Sequence, residues 1–205
     1  MQKYKYVLLL LLGVLLAGCK VQTINLTAPQ TFTATFETTK GNFDIEVNRL
    51  HSPLAADRLY SLLKNHYYDD TPFYRVVPNF VAQFGSTDSL KMKEWNALKV
   101  PDEPVLYSNK KGTLSFARDV KETRGTDLFI NIKDNKYLDA VDYNGVKGFP
   151  AFGNVTSGMD VVEKLYSGYG DTTMEDEALL ANPQALLKTY PNLDIIKKAY
   201  ITSKK

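Results

Sequence analysis

One stretch, Phe73–Gly85, limits the folds open to this chain more than any other. It reads FYRVVPNFVAQFG, so strand-forming residues lie on both sides of a Pro-Asn bend, with Arg75 and Gln83 among them. A charged or amide side chain in an apolar strand pair needs a partner, which leaves two interpretations. The stretch is either a core hairpin whose Arg75 extends to the surface, or an apolar binding floor with a cation and an amide directed at a ligand.

The N-terminus has the pattern of an export signal. Two lysines precede the apolar run Val7–Leu16, which is too short to cross a bilayer and has the length of a signal-peptide core. Leu16–Cys19 then resembles the bacterial lipobox, in which the peptide is cut before the Cys and the sulfur is lipid-modified. We therefore predict a signal peptide over 1–18, a lipid on Cys19, and attachment to a membrane of the bacterial cell envelope, outside the cytoplasm. The alternatives are an uncleaved anchor or a free thiol.

The remaining residues have the composition of one globular domain. Residues 19–30 are predicted to be the lipidated Cys and a flexible polar tether, and residues 31–205 the folded domain. Cys19 is the only cysteine, which excludes a disulfide within the chain. Removing Lys3 and Lys5 from the 25 basic residues leaves 23, which equals the 23 acidic residues. A neutral chain lacks the electrostatic footprint of a nucleic-acid-binding protein, and we expect a monomer.

The hydrophobic pattern predicts a mainly β protein. Apolar residues alternate over 31–39 and again over 43–47 around a turn at Lys40–Asn42, and Ser52-Pro53 predicts an N-capped helix that continues to about Asn65. Several short strands, few helices and no βαβ rhythm favour a closed antiparallel barrel. Further strands are predicted at 113–117, 128–132, 148–155 and 195–201, helices at 161–166 and, interrupted by Pro183, at 174–189, and a long loop with one helical turn at 86–104.

Several kinds of catalytic chemistry have no support in the sequence. The only histidines, His51 and His66, have neither a Cys nor a second His at ligand spacing, so we predict no metal site and no cofactor. No nucleophile elbow or phosphate-binding loop is present. The acidic residues at Asp171 and 175–177 lack the order of a calcium-binding loop, and a solvated acidic loop is the simpler interpretation.

The opening stretch resembles the signature of cyclophilin-type peptidyl-prolyl cis-trans isomerases, Phe-His-Arg-Ile-Ile-x-x-Phe-x-x-Gln-Gly-Gly. Three further segments resemble motifs of this family, in the family's order: Gly112–Arg118, Gly125–Ile130 and Phe152–Val162. The resemblance extends from about residue 31 to 168. It implies a closed eight-stranded antiparallel barrel with two capping helices, to which this chain adds a C-terminal helical extension. It also implies that the partners are proline-containing unfolded or partly folded polypeptides.

The resemblance assigns roles to eleven residues. Arg75 matches the family's catalytic arginine, Phe80 the floor of the proline pocket, and Gln83 the glutamine that contacts the substrate backbone. Tyr74 and Phe84 depart from the motif, which has His and Gly there. The implied substrate-binding positions are Val81, Ala117, Arg118, Asp127, Phe129, Tyr137, Leu138 and Phe149.

The residue types suit rotation about an X-Pro bond. The twisted amide gains a lone pair on the proline nitrogen, and an arginine that never loses its proton is a suitable donor to it. Because no proton is transferred, we expect little dependence on pH near neutrality. Asp127 replaces the usual Gln near Arg75 and would either orient the guanidinium or hold it in a salt bridge. Two functions follow: an isomerase for exported proteins, or a non-enzymatic module that holds proline-containing segments. A purely structural lipoprotein would leave Arg75, Phe80 and Gln83 unexplained.

Overall fold

A computed structural model describes residues 26–86 and 88–204, which contain eleven strands, five α-helices and two 3₁₀ helices. The predicted signal peptide and Cys19 lie outside the described residues. The strands are β1 (Thr31–Thr38), β2 (Gly41–Asn48), β3 (Thr71–Pro72), β4 (Arg75–Val76), β5 (Val81–Phe84), β6 (Thr113–Phe116), β7 (Leu128–Asn131), β8 (Asp142–Tyr143), β9 (Val146–Lys147), β10 (Ala151–Ser157) and β11 (Ile195–Lys204). The helices are α1 (Pro53–Lys64), α2 (Ser89–Asn96), α3 (Met159–Glu163), α4 (Glu177–Leu180) and α5 (Pro183–Thr189), and the 3₁₀ helices are Lys136–Asp139 and Thr172–Met174.

Nine strands form one antiparallel sheet in the order β3-β11-β1-β2-β10-β6-β7-β5-β4, and β8 and β9 form a separate hairpin. The two edge strands are neighbours in the chain, because only Phe73 and Tyr74 separate β3 from β4. The segment pairs with β11 at its start and with β5 at its end, so the sheet must curl to satisfy both ladders. No ladder joins β3 to β4 among the described residues. The mainly β, antiparallel prediction is confirmed, whereas the closed eight-stranded barrel is not, because the chain bends between these strands and connects the edges covalently.

Aromatic residues fill the concave side of this sheet. Alternate side chains of β1 and β2 are buried, as their patterns predict, and α1 covers them with its leucine face. Phe84, which replaces a glycine of the family motif, is fully buried and packs edge-to-face on Phe36, Tyr68 and Phe73 at ring-centroid distances of 5.7, 5.4 and 5.2 Å. Phe84, where the sequence departs from the family motif, is therefore a core residue.

Three local predictions need correction. Ser52 makes no side-chain cap on α1; the carboxylate of Glu103 accepts from the backbone N–H groups of Leu54 (2.8 Å) and Ala55 (3.2 Å) instead. The helical turn predicted within 86–104 is a two-turn helix, α2, capped by Asp88. The strand predicted over 148–155 begins only at Ala151 and continues to Ser157, because residues 148–150 are irregular.

The last part of the predicted tether is packed against the fold. The backbone N–H of Leu26 donates to Ser61 Oγ at 2.8 Å, and that of Ala28 donates to Asp57 Oδ1 at 2.8 Å, so both residues are held on α1. Ala28 is buried. The packed chain thus begins before the predicted boundary at Thr31. Within the described residues, no helix combines the length and apolar character needed to cross a bilayer.

The C-terminal extension, residues 169–190, contains a 3₁₀ turn followed by α4 and α5. Pro183 begins α5, so the predicted interruption of the helical segment at this residue is confirmed. Val76 forms an isolated antiparallel bridge with Gly170, and the Thr173 hydroxyl donates to the carbonyl of Tyr74. The extension therefore covers the β4 edge of the sheet.

Two glycines with nearly equal backbone angles provide a test of this packing. Gly145 (φ +78°) has open space around it, whereas a Cβ on Gly158 (φ +77°) would lie 2.4 Å from the carbonyl oxygen of Asn42. We expect Gly145→Ala to lower the free energy of unfolding by about 1 kcal/mol, the cost of the left-handed backbone alone. Gly158→Ala should lower it by about 3 kcal/mol, because the clash adds to that cost. Urea unfolding of both variants checks the difference, and equal losses would contradict it.

Candidate active site

One groove gathers the residues that the sequence analysis singled out. Its volume is about 840 Å³, and it lies between the β4–β5 hairpin, β7, the 3₁₀ helix at 136–139 and the C-terminal extension. Eleven residues predicted to contact a peptide line it: Arg75, Phe80, Val81, Gln83, Ala117, Arg118, Asp127, Phe129, Tyr137, Leu138 and Phe149. The fold thus brings every one of them to a single surface, while their individual roles stay predictions.

The apolar part of the groove is a small cluster distinct from the main core. Val81, Phe129 and Leu138 are buried together, and Phe80 and Phe149 pack around them with two smaller residues. The rings of Phe129 and Phe149 meet edge-to-face at 5.9 Å. Because these side chains face the groove and belong to no other cluster, they form the wall of a pocket rather than the filling of the sheet.

Arg75 lies where this apolar cluster meets polar side chains. Its Nε donates to Asp171 Oδ1 at 2.6 Å, its Nη1 donates to Gln83 Oε1 at 3.1 Å, and its Cζ lies 5.3 Å from the centroid of the Phe80 ring. β4 and β5 place Arg75 directly opposite Gln83 in the ladder. The third nitrogen, Nη2, has no hydrogen-bond partner within residues 26–86 and 88–204, so its donors are not used by this part of the protein.

A hydrogen-bonded chain continues from Gln83 away from Arg75. Gln83 Nε2 donates to the hydroxyl of Tyr74 at 2.6 Å, and that hydroxyl donates to Asp127 Oδ1 at 2.9 Å. Asp127 therefore bonds to Tyr74, and the acid that pairs directly with Arg75 is Asp171. Of the two outcomes foreseen for Asp127, direct neutralisation of Arg75 does not occur.

Comparison with known proteins agrees with this geometry. Residues 33–184 match the family model described as cyclophilin type peptidyl-prolyl cis-trans isomerase/CLD. The chain is 35% identical over 131 residues to a peptidyl-prolyl cis-trans isomerase of Acinetobacter baylyi, covering 63% of this chain and 69% of that protein. It is 30% identical over 132 residues to peptidyl-prolyl cis-trans isomerase A of Dickeya dadantii, covering 62% of this chain and 67% of that protein.

The chain belongs to the cyclophilin-type peptidyl-prolyl cis-trans isomerase family. Its fold is similar to that of a Cryptosporidium parvum cyclophilin, with a TM-score of 0.61, 20% identity, and coverage of 85% of this chain and 99% of that one. A second structure of that cyclophilin, determined in the presence of the dipeptide Ala-Pro, has the same TM-score and identity and covers 84% of this chain. The relatives and the family model identify this cyclophilin as a prolyl isomerase.

The sequence analysis missed the part of the site that the extension supplies. Asp171, interpreted as part of a solvated loop, pairs with an arginine that precedes it by almost a hundred residues, a contact that no local pattern signals. In the sequence, Tyr74 is only a departure from the motif, but its position next to Arg75 is a signal that it belongs to the site. The extension also lines one end of the groove with Met174, Glu177, Leu180 and Ala181.

Arg118 has a supporting position in this cyclophilin. The residue is buried, its guanidinium donates to the carbonyls of Val146 (2.9 Å) and Gly148, and it lies over the Phe149 ring at 4.4 Å. It lines the groove, as predicted, but its donors already hold the β8–β9 hairpin and the irregular residues that follow it. Within the described residues, no group of three His, Cys, Asp or Glu side chains is arranged to hold a metal ion.

The environment of Asp127 raises the pKa of its carboxyl from 3.8 to about 6. Desolvation is the main cause, and the hydrogen bond from Tyr74 opposes it in part. The residue lines the groove and is only partly buried, so water reduces the energetic effect of this shift. Burial and the nearby Asp127 raise the pKa of Tyr74 well above its ordinary value, so its hydroxyl stays protonated.

This shift predicts how stability depends on pH. The folded protein binds the Asp127 proton more tightly than the unfolded chain, so the contribution to stability is complete below pH 4 and is lost as pH rises through 6. We expect this loss to be about 2 kcal/mol in the wild type and absent in Asp127→Asn. Urea unfolding from pH 4 to 7 measures it, with Glu94→Gln as a control at an exposed carboxylate. Parallel pH curves for wild type and Asp127→Asn would refute the assignment.

Proposed function

We propose that this cyclophilin isomerises X-Pro bonds with Arg75 as the residue that stabilises the twisted amide. The observation that carries the proposal is the position of the guanidinium at the border of an apolar pocket, with its Nη2 edge unpaired among the described residues. A proline ring seated on Val81, Phe129 and Leu138 would bring its nitrogen toward that edge. Phe80 forms the floor beneath both groups.

The chemistry of rotation explains why this arrangement suffices. The barrier is about 20 kcal/mol, because twisting the amide breaks its resonance. The twisted form alone has a lone pair on nitrogen, so a fixed donor there binds the transition state more tightly than either planar isomer. One preorganised donor contributes about 3 kcal/mol, or two decades of rate. The apolar pocket supplies the rest by desolvating the amide and holding the ring, while Gln83 holds the neighbouring carbonyl.

The contact between Arg75 and Asp171 bears on the choice between an enzyme and a passive peptide-holding module. A holding module would require Arg75 to be locked away from the peptide. Asp171 has a side chain that is 67% exposed, and an ion pair of that kind contributes only about 0–1 kcal/mol. Substrate binding can therefore displace or tolerate this pair, which favours catalysis over the alternative of a non-enzymatic module.

The proposed substrates are proline-containing segments of exported proteins. Support comes from the sequence around Cys19, whose lipobox pattern directs a chain across the cytoplasmic membrane and attaches it there by a lipid. The related cyclophilin from Cryptosporidium parvum was crystallised in the presence of Ala-Pro, which agrees with a proline-containing ligand. A monomer anchored at the cell envelope would act on polypeptides that emerge unfolded from export.

Replacement of Arg75 tests the catalytic proposal. Arg75→Ala should lower kcat/KM for an X-Pro peptide about 100-fold, because the donor to the twisted nitrogen is lost. Arg49→Ala is the control, since Arg49 pairs with Asp57 away from the groove and should retain wild-type activity. Exchange NMR of a short Ala-Pro peptide measures both rates.

Two outcomes of this experiment would contradict the proposal in different ways. Activity of Arg75→Ala equal to that of the wild type, both well above background, would exclude Arg75 as the catalytic donor. Background rates for both, together with binding of the peptide, would instead identify a peptide-holding module.

Lipid attachment can be tested at the sulfur atom of Cys19. In cells supplied with labelled palmitate, the wild-type chain should incorporate label and partition into the detergent phase, and Cys19→Ser should do neither, because the acceptor sulfur is missing. Equal labelling of both chains, or labelling of neither, would remove the support for an envelope-anchored isomerase.

A further inference from the structure

Hydrogen-bond direction fixes the orientation of the Gln83 side chain. A guanidinium has donors and no acceptor, so the end of the Gln83 amide that faces Arg75 must be its oxygen. The NH₂ end then faces the Tyr74 hydroxyl, whose oxygen must accept. The hydroxyl proton is left to donate to Asp127, and it does so at 2.9 Å. All donors of the chain therefore point from Arg75 toward Asp127.

The hydrogen-bonded chain from Arg75 to Asp127 is held in place by burial and packing of its two middle residues. Tyr74 and Gln83 are 3% and 8% exposed, so neither can exchange its partner for bulk water. The ring of Tyr74 packs in an apolar cluster with Leu186 of α5, in the extension, and with Leu193, which follows the extension. Tyr74 thus connects the C-terminal extension to the residue that faces Arg75.

We propose that Tyr74 and Asp127 are positioning residues, which keep the Gln83 oxygen directed at Arg75 and so hold the guanidinium in its catalytic orientation. This inference rests on the proposed role of Arg75. The proposal gives a function to Tyr74 and Asp127, the two residues at the polar end of the groove where the family motifs have His and Gln. Neither side chain contacts Arg75, so both act through Gln83.

The mechanism predicts a reversal of the chain when Asp127 is protonated. A neutral carboxyl can donate to the Tyr74 oxygen, and the Tyr74 hydroxyl can then donate to Gln83. Gln83 would turn its NH₂ group toward Arg75, where two donors oppose each other. Rotation itself needs no proton transfer, so a loss of activity between pH 7 and 5 reports on the hydrogen-bonded chain from Arg75 to Asp127.

Other ionisable groups surround the hydrogen-bonded chain from Arg75 to Asp127. Burial raises the pKa values of Tyr67, Tyr68 and Tyr74, so these hydroxyls stay neutral over that pH range. The charged and titratable groups on the elements around Asp127 and the groove are Arg58 on α1, Tyr67 and Tyr68 after it, Tyr74 and Arg75 at β4, Asp88 before α2, Arg118 and Asp119 after β6, Tyr137 in the 3₁₀ helix at 136–139, Tyr143 on β8, and Asp171 and Glu177 in the extension.

The experiment measures kcat/KM from pH 5 to 8 by exchange NMR. It uses the full chain in detergent and a blocked Ala-Pro peptide with no ionisable side chain. The wild type should lose about fivefold between pH 7 and 5, as expected for one lost hydrogen bond. Tyr74→Phe should be about fivefold slower at pH 7 and independent of pH, with peptide affinity unchanged. Asp127→Asn should also lose the pH dependence, because its amide oxygen still accepts from the Tyr74 hydroxyl but does not titrate. The double variant should be no slower than Tyr74→Phe, since without the Tyr74 hydroxyl residue 127 is no longer linked to Gln83.

Tyr68→Phe is the matched control. Its hydroxyl is equally buried and donates to the carbonyl of Thr126, next to Asp127 but outside the chain. This variant should keep the wild-type rate and pH profile. The proposal is overturned if Tyr74→Phe keeps the wild-type profile, if Tyr68→Phe loses it, or if the two changes of the double variant act additively. If Tyr74→Phe does not fold, Asp127→Asn alone decides, because it must flatten the profile. If Arg75→Ala is inactive while the Tyr74 and Asp127 variants keep the wild-type rate and pH profile, this inference is rejected and the proposed function stands.

Discussion

The six residues Thr71–Val76 must pair with both edges of one sheet, and most of the structure follows from that requirement. The start of the segment bonds to β11, which lies beside β1, and its end bonds to β5, beside β7. A sheet whose two edges meet in one short segment has to curl. The curl creates a closed apolar interior on one side of the segment and leaves Arg75 and Gln83 paired at the rim on the other.

Departures from the family motif occur together and compensate one another. Phe84 fills space in the aromatic core where the motif has glycine, and it does so against Phe36 and Phe73. Tyr74 has a hydroxyl that the motif histidine lacks, and this hydroxyl donates to the carboxylate of Asp127. A buried hydroxyl without that acceptor would be costly, as would a carboxylate without a donor. Each of these two residues therefore satisfies the hydrogen-bonding group of the other.

The C-terminal extension is part of the site rather than an appendage. It covers the β4 edge, packs its leucines on Tyr74, and supplies Asp171 to Arg75. The ion pair is weak because Asp171 is exposed, so it can orient the guanidinium without removing it from use. The same extension lines one end of the groove.

The sequence by itself determined the antiparallel strands and the helix at α1, because local alternation depends only on near neighbours. Its resemblance to the cyclophilin motifs singled out the residues that line the groove. Only the tertiary structure decided that the sheet has nine strands with no ladder between its edge strands β3 and β4, that Glu103 rather than Ser52 caps α1, and that Asp171 rather than Asp127 pairs with Arg75. Those outcomes depend on contacts between residues far apart in the chain, and the identity of a distant partner leaves no trace in local periodicity. The stretch Phe73–Gly85 thus contains Arg75 and Gln83, while the tertiary structure determines which distant residues they contact.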